Sequence, residues 1–123
     1  MATLTPTLTL TSTNAMTDSI SISLTDSLTT ADPVEMGKVN ITTGAGTVGD
    51  NTLIPSTDSN VYYVYLKNTD TTNFVLVRRD NGNNMMKLHA GEFTFFPLAD
   101  GIGLEMQADT YTVKVEYGFF KKG

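Results

Sequence analysis

The residues able to do acid–base or metal chemistry are few and scattered. The 123-residue chain has one histidine and no cysteine. His89 would serve a Ser-His-Asp relay only beside a nucleophile elbow, and no Gly-x-Ser-x-Gly sequence is present. A single imidazole sets no metal-ligand spacing, and without thiols there is neither a thiolate site nor a disulfide framework. His89 therefore reads as a strand-end residue before the Ala90-Gly91 turn. Glu92, Glu105 and Glu116 are candidates for a carboxylate pair of the glycosidase kind, which needs two carboxyl groups ~5–10 Å apart in one cleft. The alternation around Glu105 and Glu116 points both towards solvated faces instead. Tyr62, Tyr63 and Tyr65 supply stacking surfaces for a sugar, although there is no Trp.

The remaining chemical signals are loops and paired charges. Thr43–Asn51 carries Gly44, Gly46 and Gly49, but no Gly-Lys-Ser/Thr follows, so a phosphate cradle is not expected and a surface loop is. Asp80-Asn-Gly-Asn-Asn84 is rich in oxygen ligands of the kind calcium prefers. It lacks the closing Glu of an EF-hand, and the same residues are those a tight turn demands. Arg78-Arg79 is the one adjacent arginine pair, suited to gripping a carboxylate on a partner or to ending a strand. Asn40-Ile-Thr42 is a glycosylation sequon, which matters only in a secreted eukaryotic setting. No catalytic residue, cofactor or metal ligand is expected from these signals.

The elements that must carry these groups read as β throughout. Thr, Ser and Asn together number 37 residues, close to a third of the chain. Thr is β-branched and fits a half-wet pleated surface. Leu4, Leu8 and Leu10 alternate with Thr, with Pro6 inside the run, and Ile20, Ile22 and Leu24 alternate with Ser and Thr. Val34 and Met36 share one parity and Val39 and Ile41 the other, so a bulge at Gly37 would bring all four to one face. Val61–Leu66 and Phe74–Val77 are apolar on both faces, as in strands central to a covered sheet or turned towards a partner. The short polar Asn68–Thr72 link predicts that these two form a hairpin. Strands follow at Met85–His89, at Phe93–Pro97 with Pro97 as its stop, around Leu104–Ala108, and over Tyr111–Tyr117. Phe119 and Phe120 are adjacent, so one is expected in the core and the other exposed or held by a partner subunit. Short strands with turns every 8–12 residues make an antiparallel sandwich or barrel.

Charge and aromatic content divide the chain unevenly. The net charge is −5, of which −4 falls in residues 1–37, a segment without Lys, Arg or any aromatic residue. All 11 aromatic residues lie at or after Tyr62. The N-terminal third therefore reads as a Thr/Ser-rich strand pair or extended arm, most plainly over residues 1–15, that must pair with something. An acidic chain of this kind lacks the positive footprint of nucleic-acid binding. No segment is long and apolar enough for a membrane span, and the N-terminus has no signal-peptide pattern.

The segments Tyr63–Val77, Leu88-His-Ala-Gly-Glu-Phe-Thr-Phe-Phe-Pro97, Gly101-Ile-Gly-Leu-Glu-Met-Gln-Ala108 and Val113-Lys-Val-Glu-Tyr117 resemble small virion proteins of tailed bacteriophages. The Thr/Ser-alternating N-terminus is similar too. Such proteins are capsid decoration (cement) proteins or other head and tail components. The resemblance implies a jelly-roll-like sandwich, a homo-oligomer that is often a trimer, the major capsid protein as partner, and a place on the outer capsid surface. The mechanism would be mechanical, with no catalytic residue, and the contacts are expected at Leu8, Leu10, Tyr62, Tyr63, Tyr65, Arg78, Arg79, Phe119 and Phe120. The alternative is a carbohydrate- or receptor-binding module of a tail or fibre, using Tyr62, Tyr63 or Tyr65.

Overall fold

The computed structural model describes residues 1–31, 34–43 and 51–123. The Gly-rich loop expected at Thr43–Asn51 lies, over residues 44–50, outside the described residues. Among the described residues there are twelve strands: β1 (Ala2–Leu4), β2 (Thr7–Ser12), β3 (Ile20–Thr25), β4 (Leu28–Thr30), β5 (Glu35–Ile41), β6 (Thr52–Ile54), β7 (Tyr62–Asn68), β8 (Val75–Arg78), β9 (Asn84–Leu88), β10 (Phe93–Leu98), β11 (Leu104–Ala108) and β12 (Val113–Lys121).

Strands β5 to β12 form two four-stranded antiparallel sheets with orders β10-β7-β12-β5 and β6-β11-β8-β9. The pairing is nested. β5 pairs β12, β6 pairs β11, β7 pairs β10 and β8 pairs β9. A long antiparallel ribbon rolled up so that its strand pairs are divided between two packed sheets is a jelly roll. The expected antiparallel β-sandwich is what the chain forms.

Period-two burial builds the core between the sheets. From the first sheet Val64, Leu66, Val113 and Val115 point inward and are fully buried. Val75, Val77, Leu104 and Met106 answer them from the second and are equally buried. Most of these inward positions are β-branched Val, which fits a pleated surface, and the rest are Leu and Met.

The topology overturns the hairpin expected between Val61–Leu66 and Phe74–Val77. β7 and β8 lie in opposite sheets, because in this jelly roll each connection from β5 to β12 crosses between the sheets except the β8–β9 hairpin. Asn68 makes the crossing possible. Its side chain is buried, and its Nδ2 donates to the carbonyls of Asn73 at 2.9 Å and Leu88 at 3.0 Å. Its Oδ1 accepts from the Asp70 amide at 2.9 Å. A link that seems made for a tight turn is thus an arch tied down by a buried amide.

Two smaller expectations also change. β5 pairs β12 in continuous register through Gly37, so no bulge forms there. Met36 instead faces outward at 60% exposure while Ile41 is buried. Gly37 serves close approach: a Cβ there would meet the Tyr117 hydroxyl at 3.1 Å. Pro97 does not stop its strand. β10 continues to Leu98 as the edge of its sheet, where a residue without an N–H is tolerated.

Residues 1–15 are the outbound half of a longer arm. β1 pairs β4 and β2 pairs β3, so the chain runs out and back through Thr30 as one two-stranded ribbon. Its base is tied to the end of β12 by a Thr30–Lys122 bridge and by the Ala31 amide donating to the Lys121 carbonyl at 2.8 Å.

Candidate interaction surface

The ribbon is amphipathic because its Leu/Ile and Thr/Ser residues alternate in both strands and the register keeps them apart. Leu8 lies opposite Leu24 and Leu10 opposite Ile22 on one face. Thr7 lies opposite Thr25, Thr9 opposite Ser23 and Thr11 opposite Ser21 on the other, with the Thr7 and Thr25 hydroxyls 3.3 Å apart. The apolar face has no complete cover: Leu8, Leu10, Ile22 and Leu24 are 42, 48, 41 and 60% exposed. Between the two halves of the ribbon, Pro6 and Asp26 interrupt the ladder, with the Asp26 amide donating to the Pro6 carbonyl at 3.1 Å.

This interruption faces the edge of the jelly roll. Pro6, Thr7, Leu8, Leu24, Thr25 and Asp26 form one wall of a groove, and Phe93, Thr94 and Phe95 of β10 form the other. The groove has a volume of about 610 Å³. Phe93 is 65% exposed, and Phe95 stacks on Tyr63 with ring centroids 6.2 Å apart and planes at 12°. Phe93, Phe95 and Pro97 share the outward parity of β10, opposite Lys67, Tyr65 and Tyr63 of β7.

No family model, no curated protein and no solved structure matches the chain. Its function must therefore be read from its own surfaces.

The outer face beside the groove is aromatic with fixed polar tips. The Tyr65 hydroxyl donates to Glu116 Oε1 at 2.7 Å, and burial followed by this bond pushes the Tyr65 pKa up to about 12. Lys122 Nζ lies 5.2 Å from the Tyr63 ring centre. Tyr62 points the other way. Its ring meets Phe119 edge-on and its hydroxyl donates to Asp58 Oδ2 at 2.8 Å. Asp58 is held below the usual carboxylate range by the Asn60 amide first and by Tyr62 next. The three tyrosines therefore do not form one platform; Tyr63 and Tyr65 share a face with Phe95, and Tyr62 packs against the core.

Of the other expected contact residues, Phe119, Phe120 and Arg78 are consumed within the chain and Arg79 is not. Phe119 is in the core at 5% exposure, and Phe120, on the opposite face, is also buried at 8%. Neither awaits a partner. Gly118 makes room for Phe120, since a Cβ there would touch its ring at 3.0 Å. Arg78 donates through Nη2 to the Gly82 carbonyl at 2.7 Å, and its Nη1 lies 3.5 Å from Glu105 Oε1. Glu105 is only 2% exposed, against the expectation of a solvated face. Its outward parity is real, but Arg78 on the neighbouring strand holds it as a buried ion pair. Arg79 is exposed and lies over Gly82. The adjacent arginines thus act separately.

The acid–base inventory stays dispersed. His89 Nδ1 and its backbone amide both meet Glu92 Oε1, at 2.8 and 2.7 Å, in an exposed turn. Among the described residues no group of His, Asp and Glu is arranged to hold a metal ion. The Asp80–Asn84 segment closes the β8–β9 hairpin, with Asn81 at φ 55° and Asp80 Oδ2 accepting from the Ser56 amide at 2.8 Å.

Of the residues expected at a contact surface, Leu8, Leu10, Tyr63 and Tyr65 lie on or beside the exposed apolar surface. Sequence reasoning missed Phe93, Phe95, Ile22 and Leu24. The parity shared by Phe93, Phe95 and Pro97 carried the signal, since three large residues on one side of an edge strand exceed what a single core takes.

Proposed function

We propose that the protein is a structural subunit of a virion, of the capsid-decoration type. It binds the outside of a phage head as a homo-oligomer, with a trimer the expected form, and bridges adjacent major capsid protein subunits. The observation that carries this reading is the uncovered apolar ribbon on a jelly roll whose own core is already complete. A body that needs no further burial yet presents Leu10, Ile22, Leu24 and Phe93 to solvent is built to bury them against something else.

The mechanism is additive burial. Apolar area removed from water contributes about 25 cal/mol per Å², and a stable joint buries about 1,600 Å² in total. A cyclic oligomer multiplies such contacts through avidity. The net charge of −5 keeps the subunit away from packaged DNA. Jelly rolls recur in viral coat proteins and in lectins.

The test is sedimentation with purified heads that lack this chain. The wild-type protein is expected to co-sediment to saturation, and Leu10→Asp or Leu24→Asp to lose binding while staying folded. Failure of the wild-type protein to bind would remove the reading. A second reading, a carbohydrate-binding module of a tail or fibre, draws on the exposed Tyr63–Phe95 stack beside the Tyr65–Glu116 pair. A glycan array with Tyr63→Ala as control decides it.

A further inference from the structure

We propose that the groove between the N-terminal ribbon and β10 is the seat for the ribbon of a second copy of this chain. The inference deepens the reading above, resting on its homo-oligomer, and names which surfaces meet. A two-stranded ribbon alone is marginal in water and needs a further strand or a packed face. The ribbon's own body does not supply it. Leu8 and Leu24 form one wall of the groove, so they cannot also fill it. No backbone hydrogen bond joins the ribbon to β10 among the described residues.

Strand edges, size and charge all fit a second copy. β10 is the edge of its sheet, and β2 and β3 each pair on one side only among the described residues. All three are six residues long. An extended residue in a packed sheet occupies about 160 Å³, from ~3.4 Å rise, ~4.8 Å strand spacing and ~10 Å sheet spacing. The groove of about 610 Å³ thus takes roughly four residues of strand. β2, β3 and β10 contain no charged residue, in a chain of net charge −5. A basic or acidic partner segment would find only Asp26 there, whereas the neutral Leu10/Ile22 end of another ribbon meets a neutral apolar slot. Giving a ribbon to one neighbour and receiving one from another is a heterologous contact, and in a closed ring of such contacts no groove is left free.

The chain contains no cysteine, so single thiols report contacts cleanly. Full-length Leu10→Cys and full-length Phe93→Cys proteins are mixed, allowed to re-equilibrate, and treated with a short bis-maleimide, without heads present. The proposal expects cross-linked dimer in the mixture and little in either protein alone. Separately, Phe93→Glu in an otherwise native chain should lower the affinity of self-association by about tenfold or more, as loss of an interface anchor does. Cross-linking of Leu10→Cys with itself would overturn the proposal, because the ribbons would then meet tip to tip. A monomeric mass with no cross-link would overturn it too, and would give the groove to a strand of another protein. Ribbon exchange without head binding would leave this inference standing and remove the decoration reading. Head binding by a monomer would do the reverse.

Discussion

Leu8 lies directly across the N-terminal ribbon from Leu24, and the pair stays 42 and 60% exposed on a face that nothing among the described residues covers completely. Exposed positions away from caps and networks usually change stability by no more than about 0.5 kcal/mol. The double variant Leu8→Thr/Leu24→Thr is therefore expected to melt close to wild type. Thr also suits a strand, so the ribbon should persist. Self-association and head binding, followed by light scattering and sedimentation, should both fall. A large drop in melting temperature with assembly intact would show the pair to be core instead.

Asn68 is the opposite case. Its side chain is buried and satisfies the carbonyls of Asn73 and Leu88 and the amide of Asp70. Asn68→Ala leaves these groups unpaired in the interior at a cost of about 3 kcal/mol. Urea unfolding checks it, and a cost below about 1 kcal/mol, the net value of an ordinary hydrogen bond, would mean that the arch between β7 and β8 does not depend on this amide.

Arg78 and Glu105 form a buried pair in which Arg78 Nε and Glu105 Oε1 have no hydrogen-bond partner. Arg78→Leu strands the carboxylate and should cost about 3 kcal/mol. Arg78→Leu/Glu105→Leu should recover most of that, because an apolar pair of similar size avoids the desolvation. Denaturation of the three proteins gives the comparison. A double variant no better than the single would show the ion pair to be net stabilising.

Tyr65 sets an alkaline limit on stability. Burial and the bond to Glu116 raise its pKa to about 12 from an ordinary value near 10. The folded protein holds this proton more tightly than the unfolded chain. The contribution is whole below pH 10 and is lost as pH rises from 10 to 12. Glu116→Gln removes the charge and should lower the midpoint of Tyr65 in an absorbance titration. An unchanged midpoint would assign the whole shift to burial.

Much of the sandwich was legible because period-two alternation reports directly which side chains face inward. Val113 and Val115 follow it, and so do Leu104 and Met106, whereas Val61–Leu66, apolar on both faces, did not reveal that Val64 and Leu66 are the inward pair. The pairing of β7 with β10 and β12 was not legible. Two apolar runs joined by Asn68-Thr-Asp-Thr-Thr72 look alike whether the chain turns back in one sheet or crosses to the other, and only tertiary pairing separates the cases. Glu105 and Phe120 misled for a related reason: outward parity means solvent only when nothing on the neighbouring strand covers it. Arg78 covers Glu105, and Gly118 lets Phe120 lie down. Leu8 and Leu10 were legible as surface candidates, while Phe93 and Phe95 lay in a run that read only as a strand stopped by Pro97.

The proposal tested most directly is that this chain decorates a viral shell. The direct measurement is its copy number in purified virions of the phage that encodes it, by quantitative peptide mass spectrometry against the major capsid protein. A fixed, high ratio to the major capsid protein is the expected result. A handful of copies per particle, or none, would contradict the account.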